Sequence, residues 1–233
     1  MEEDTPDALP TAAADTGGTR DAIALYGGVF DPVHAAHLAV ARAALDALPV
    51  ARVLFLPAGD PPHKSERAPA PADARLAMLR AAITGEPRFA IDPRELERTG
   101  PSYTILTLEE LAHAHPGARI FFLIGADNAR SIGRWHRAEE LFALCDPVIV
   151  TRPGDGAGFS LADVPFLSPE RIDALNRLVI DTVSLPHSSS TVRGRVARGE
   201  SLDGWVPDEV AQIIAERGLY RSTPASSPRS ESE

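Results

Sequence analysis

Tyr26-Gly27-Gly28-Val29-Phe30-Asp31-Pro32-Val33-His34-Ala35-Ala36-His37 closes an apolar run, AIALY at 22–26, and opens onto an Ala-rich helical pattern. A strand that ends in two glycines lets the backbone approach a ligand closely, and the helix start beyond it presents unpaired N–H groups and a positive dipole end suited to phosphate. His34 and His37 are three residues apart, so on a first helical turn they face the same way and can both donate to phosphate oxygens. Two histidines at a helix start are also ordinary polar residues; the glycines and Asp31-Pro32 tip the reading towards a polyphosphate. No third metal ligand or HExxH pattern lies nearby, which disfavours zinc, and the stretch lacks the G-x-G-x-x-G of a dinucleotide-binding dehydrogenase.

Outward from this stretch, short apolar runs recur at 51–57, 89–92, 119–125, 146–151 and 178–183. Between them AHLAVARAALDAL, DARLAMLRAAIT, SYTILTLEELAHAH and RAEELFAL carry apolar residues three and four apart, as amphipathic helices do. Strands alternating with helices predict a doubly wound, mostly parallel α/β sheet with helices on both faces and ligands beyond the C-terminal strand ends. Residues 152–170 show no period and are expected to be irregular. The acidic N-terminus, 1–20, and the Ser/Pro-rich 222–233 have the composition of disordered tails around a folded unit at 21–221.

The 233 residues, 44% hydrophobic, suffice for one substantial core. A net charge of −10 argues against a surface built to grip nucleic acid. A single cysteine, Cys145, excludes an internal disulfide and fits a reducing compartment; no basic-then-apolar leader or long apolar span is present, so a cytoplasmic protein with no membrane association is expected. Homo-oligomerisation is left open.

Two further stretches bear on an anionic ligand. Pro57-Ala58-Gly59-Asp60-Pro61-Pro62-His63-Lys64 follows the second strand and holds the only lysine in the chain, a point charge for phosphate or merely a solvated loop tip. His187-Ser188-Ser189-Ser190-Thr191-Val192-Arg193 leads into a helical pattern; it is a plain N-cap or, with Arg193 one turn in, a second phosphate cradle.

These stretches together resemble the nicotinate-nucleotide adenylyltransferases, nucleotidyltransferases with an HxGH phosphate motif and a Rossmann-like fold. GGVFDPVHAAH is similar to the family's G-G-x-F-D-P-x-H-x-G-H, PAGDPPHK to its P-x-x-x-P-P-H-K and HSSSTVR to its I-S-S-T-x-I-R. Pro101-Ser102-Tyr103-Thr104, Gly125-Ala126-Asp127, Trp135-His136 and the GLYR at 218–221 extend the likeness over nearly the whole folded segment. The resemblance implies that His34, His37, Ser189 and Ser190 bind the ATP phosphates and that Lys64 and Arg193 neutralise them. It implies that the backbone near Gly28 and Phe30 approaches the α-phosphate, and that Mg²⁺ accompanies ATP. It further implies that Asp127 contacts a ribose, Trp135 stacks on the pyridine ring, and Tyr103 and Thr104 lie beside its carboxylate. By residue type alone, Trp135 and Tyr103 are as readily packing residues, and Asp127 a cap of a short helix starting near Asn128. Ala36 stands where the family has glycine, Ser190 where it has threonine, and His187 where it has isoleucine. Nicotinamide mononucleotide or phosphopantetheine as acceptor, or a non-catalytic ATP-binding module, are the alternatives.

Overall fold

The structure is a computed structural model and describes residues 22–59, 68–151, 161, 164–182 and 186–221. The expectations for both tails, for Lys64 and for most of 152–163 fall outside those residues.

All six expected strands form: β1 (Ile23–Gly28), β2 (Arg52–Pro57), β3 (Phe89–Ile91), β4 (Ile120–Gly125), β5 (Asp146–Thr151) and β6 (Val179–Asp181). They make one fully parallel sheet in the order β3-β2-β1-β4-β5-β6. The chain winds from β1 outward to β3, then returns to place β4 against β1 and winds the other way. The order therefore reverses between β1 and β4, and the crevice beyond their C-terminal ends, at Gly28 and Gly125, is where such sheets bind ligands.

Helices cover both faces because the strand residues alternate between two apolar layers. In β1, Ala24 packs with Leu38 and Ala41 of α1 (Ala35–Ala47), Met78 and Leu79 of α2 (Ala72–Ile83) and Val210 of α9 (Asp208–Glu216). Its neighbours Ile23 and Leu25 point the other way, to Ile105 and Leu108 of α4 (Thr104–Ala114) and Leu141 of α6 (Ala138–Leu144). Period-2 alternation with apolar residues on both sides is what a parallel sheet buried on both faces requires.

The remaining helices are α3 (Arg94–Glu97), α5 (Ala126–Ala129), α7 (Pro169–Asn176) and α8 (Ser189–Ala197), with a single 3₁₀ turn at Ile132–Arg134. Two sequence expectations change at this level. The short helix after β4 starts at Ala126, not Asn128, so Asp127 lies in its first turn and does not cap it. The last two residues of the stretch expected to be irregular begin α7, where Ser168 accepts the Arg171 N–H at 3.2 Å with Pro169 at the first helical position. Among the described residues no helix is long and apolar enough to cross a membrane.

Candidate active site

The loop after β1 is held from several sides. Phe30 has a left-handed backbone, φ 49°, and its ring is turned into the core against Tyr26 and His37. A Cβ on Gly28 would come within 3.0 Å of that ring, so glycine is needed here for packing as well as for access. Asp31 is buried; one carboxylate oxygen accepts from the Ala70 N–H at 3.0 Å and the Tyr220 hydroxyl at 2.7 Å. Arg75, 4% exposed, donates to the carbonyls of Val29 (2.8 Å), Ala58 (2.9 Å) and Ala70 (3.1 Å). One guanidinium thus fastens the loop after β1 to the segments on either side of residues 60–67.

His34 is the N-cap of α1 and His37 its third residue; their rings stack at 3.7 Å. The Nδ1 of His37 accepts the His34 backbone N–H at 3.2 Å, which leaves the proton of a neutral His37 ring on Nε2 as a donor. Ala36 sits in the first turn of α1 without a left-handed backbone, so the methyl that replaces glycine costs nothing in φ/ψ.

α8 meets the same loop. Its N-cap is Ser188, whose hydroxyl accepts the Thr191 N–H at 3.1 Å, while Ser190 bonds to Ser188. Ser189 donates to the Pro32 carbonyl at 3.0 Å, and Arg193 donates to the Asp31 carbonyl at 2.7 Å. His187, in place of the family's isoleucine, bonds the Gly204 carbonyl at 2.9 Å and packs on Trp205, whose own carbonyl accepts the Ala35 N–H of α1. The two helix starts and the β1 loop are therefore one tied unit. The first-turn N–H groups of both helices, which have no acceptor within their helices, belong to it.

Beside this unit, at the reversal of strand order, a cavity of about 280 Å³ runs from Gly27 and Gly28 across the ends of β2 and β4 to Asn128 and Trp135. It shares Ser102, Thr104, Asn128 and Trp135 with a neighbouring cavity of about 620 Å³ that is also lined by Tyr103, Arg134 and His136. Trp135 meets Phe122 of β4 edge-on and donates its indole N–H to Ser131 at 3.2 Å; Tyr103 packs on the His136 ring at 4.5 Å. The two cavities form one cleft with a glycine-lined end and an aromatic end.

The structure thus groups Gly28, the Phe30 backbone, His34, His37, Ser189, Ser190 and Arg193 around the β1 loop, and Tyr103, Thr104 and Trp135 at the aromatic end. Asp127 lies at the end of β4 but turns to solvent, its side chain 94% exposed and paired with Arg130 at 3.0 Å; it lines neither cavity. Sequence reasoning missed Arg75, Glu95, Ser102, Asn128 and Arg134. Glu95 of α3 is buried beside the cleft, accepts the Thr107 hydroxyl at 2.8 Å and the Gly59 N–H, and has Arg98 nearby. Burial pushes its carboxyl above the usual range, against the opposing pull of those partners. A Cβ on Gly59 would lie 2.1 Å from the Glu95 carbonyl oxygen, so only glycine fits that contact.

A third cavity, about 650 Å³, lies at the opposite end of the sheet near Arg119, Cys145, Asp146 and Arg171. Buried Asp146 is neutralised there by Arg119 and Arg171, each at 2.6 Å, and burial pushes the Cys145 thiol far up, so no thiolate is available. That end is remote from the β1 loop and both helix starts.

Residues 25–195 match the cytidylyltransferase-like family model. The chain is 40% identical over 198 residues to a protein of Geobacillus thermodenitrificans named probable nicotinate-nucleotide adenylyltransferase, covering 85% of each chain. It is 37% identical over 211 residues to a protein of the same name from Trichlorobacter lovleyi, covering 85% of this chain and 99% of that one. In fold it is similar to the Plasmodium falciparum nicotinic acid mononucleotide adenylyltransferase complexed with NaAD, with TM-score 0.62, 19% identity, and coverage of 86% and 97%.

Proposed function

Because the chain belongs to the nicotinate-nucleotide adenylyltransferases, within the cytidylyltransferase-like family, we propose that it transfers the adenylyl group of MgATP to nicotinate mononucleotide, giving nicotinate adenine dinucleotide and pyrophosphate for NAD synthesis. The observation that carries this reading is the single cleft at the sheet's reversal point, which joins a glycine-lined end beside two helix starts to an end lined by Tyr103, Trp135 and His136.

The reaction is a direct in-line displacement. A phosphate oxygen of the mononucleotide forms a bond to the α-phosphorus of ATP as the bond from that phosphorus to the bridging oxygen of pyrophosphate breaks. The nucleophile is already an anion, so no general base is required; the protein holds two mutually repelling anions in line and stabilises charge that builds on pyrophosphate. His34, His37, Lys64 and Arg193 supply positive or donor groups at the phosphates, aided by the hydroxyls of Ser189 and Ser190. The backbone between Gly28 and Phe30, in the loop after β1, lies against the α-phosphate. Tyr103, Thr104 and Trp135 hold the pyridine, and Asp127 turns inward to a ribose hydroxyl when nucleotide binds.

Among the described residues no three His, Cys, Asp or Glu side chains gather as a metal cage. Mg²⁺ that arrives on ATP needs none, because it keeps several waters and takes phosphate oxygens. The reaction belongs in the cytoplasm.

The experiment is pyrophosphate release from MgATP with nicotinate mononucleotide, nicotinamide mononucleotide and phosphopantetheine in parallel. Release with nicotinate mononucleotide supports the proposal. ATP binding with no release for any acceptor would make the chain a binding module.

A further inference from the structure

We infer that Tyr220 is a positioning residue for the phosphate site: its hydroxyl holds the Asp31 carboxylate off Arg193, so that the guanidinium keeps its charge for the phosphates of ATP. This rests on the adenylyl-transfer reading above and gives a role to the GLYR stretch at 218–221, where Tyr220 lines neither cavity of the cleft.

Gly218-Leu219-Tyr220 turns the end of α9 back towards the loop after β1. Gly218, with φ 60°, closes the helix: the Leu219 N–H donates to the Ile214 carbonyl at 3.0 Å and the Gly218 N–H to the Ala215 carbonyl at 3.2 Å, the paired bonds of a Schellman motif. Tyr220 follows with a left-handed backbone of its own, φ 61°, a conformation uncommon for a bulky side chain. Such a backbone persists where its surroundings fix it, and functional loops are where this happens. Among the contacts that fix it here is the hydroxyl, which donates to Oδ1 of Asp31, 189 residues away, at 2.7 Å.

Asp31 stands between Tyr220 and the phosphate site. Its Oδ1 accepts both the Tyr220 O–H and the Ala70 N–H, and two donors on one oxygen set the rotation of the carboxylate. In that rotation Oδ2 lies 3.7 Å from Nη1 of Arg193, well beyond the roughly 2.7–2.9 Å of a charge-assisted hydrogen bond. The same Nη1 donates instead to the main-chain carbonyl of Asp31 at 2.7 Å. Arg193 is therefore located by a neutral acceptor, and the carboxylate beside it matches its charge only loosely. Without the Tyr220 hydroxyl, Oδ1 loses a donor and the carboxylate is free to turn and pair fully with Arg193. A buried anion would then compete with ATP for the guanidinium.

The test is a double-mutant cycle of wild type, Y220F, R193Q and Y220F/R193Q, read by the Kd of MgATP and by kcat and KM for both substrates, with thermal unfolding alongside. Phenylalanine keeps the ring in its packing, so Y220F is expected to remain folded, with a melting temperature lower by no more than about 6 °C. Y220F is expected to raise the Kd and lower kcat/KM for MgATP by about tenfold, while the KM for nicotinate mononucleotide changes less than about twofold. In the R193Q background the same substitution is expected to change MgATP binding less than about twofold, because the charge that Asp31 would capture is absent. MgATP binding by Y220F equal to that of wild type would overturn the inference. An equal fold-loss in both backgrounds would overturn it too, since Tyr220 would then brace the loop without acting through Arg193. A wild type that binds MgATP but transfers nothing to any mononucleotide would overturn the reaction reading, while the Kd cycle still decides the role of Tyr220; a wild type that does not bind MgATP would overturn both.

Discussion

Replacing Arg75 with methionine removes the guanidinium that ties the loop after β1 to the chain on either side of residues 60–67. Methionine keeps most of the apolar stem, so the loss falls on the guanidinium's hydrogen bonds, among them those to the carbonyls of Val29, Ala58 and Ala70. The carbonyls of Val29 and Ala58 are in partly open residues, and water can replace the lost donor at roughly 1 kcal/mol each, whereas the Ala70 carbonyl belongs to a buried residue and costs about 2 kcal/mol when orphaned. The expected destabilisation is about 4 kcal/mol, which for a domain of this size lowers Tm by about 8–16 °C. Lysine keeps the charge but cannot span three acceptors with a compact ammonium, so R75K should lose roughly half as much. Urea and thermal unfolding of wild type, R75M and R75K measure this. If R75M stays within about 1 kcal/mol of wild type, the clasp is not a fastening and the reasoning fails.

Other substitutions separate the two ends of the cleft. H37A should cut kcat about a hundredfold or more with little change in KM for the mononucleotide, because the Nε2 donor acts on charge that develops during transfer; near-normal kcat would remove His37 from the phosphate site. W135A should raise KM for the mononucleotide roughly tenfold or more, the usual worth of ring stacking, with a smaller effect on kcat; an unchanged KM would make Trp135 a packing residue against Phe122. Glu95 gives a pH signature. Its folded carboxyl lies above the ordinary glutamate value of 4.5, so just above pH 4.5 the native state keeps a proton that the unfolded chain releases. Its contribution to the unfolding free energy therefore falls as pH rises through that window and is constant below it. Subtracting the stability–pH curve of E95Q from that of wild type should reveal this decline, and a flat difference would contradict the buried-carboxylate reading.

What could be read from sequence followed from periodicity and local turn chemistry. The six apolar runs became the six strands, and Gly27-Gly28 followed by His34 and His37 marked the loop that the structure places at the reversal of strand order. What could not be read depends on contacts between distant segments. Nothing around Arg75 distinguishes it from a solvated helix arginine until α2 packs beneath the loops whose carbonyls it meets, 17 and 46 residues away in sequence. Glu95 likewise looks like a surface acid in RELE, and becomes a clasp only where α3 passes Gly59 and α4 brings Thr107 to it. α9 is hard to read from sequence although Val210 and Ile214 carry helical spacing: its apolar face is short, and its partner α2 lies more than a hundred residues upstream. Asp127 takes a ligand role from its motif, whereas α5 starts at Ala126, two residues before the position the cap reading gives it, and the Asp127 side chain faces solvent.

The most direct test of the central claim uses ATP with a chiral phosphorothioate at the α-position, Mg²⁺ and nicotinate mononucleotide, followed by determination of the configuration at phosphorus in the isolated dinucleotide. A single in-line displacement within the cleft predicts a dinucleotide with inverted configuration. Retention, which requires an adenylylated side chain such as a histidine as intermediate, would contradict the account, as would the absence of any dinucleotide.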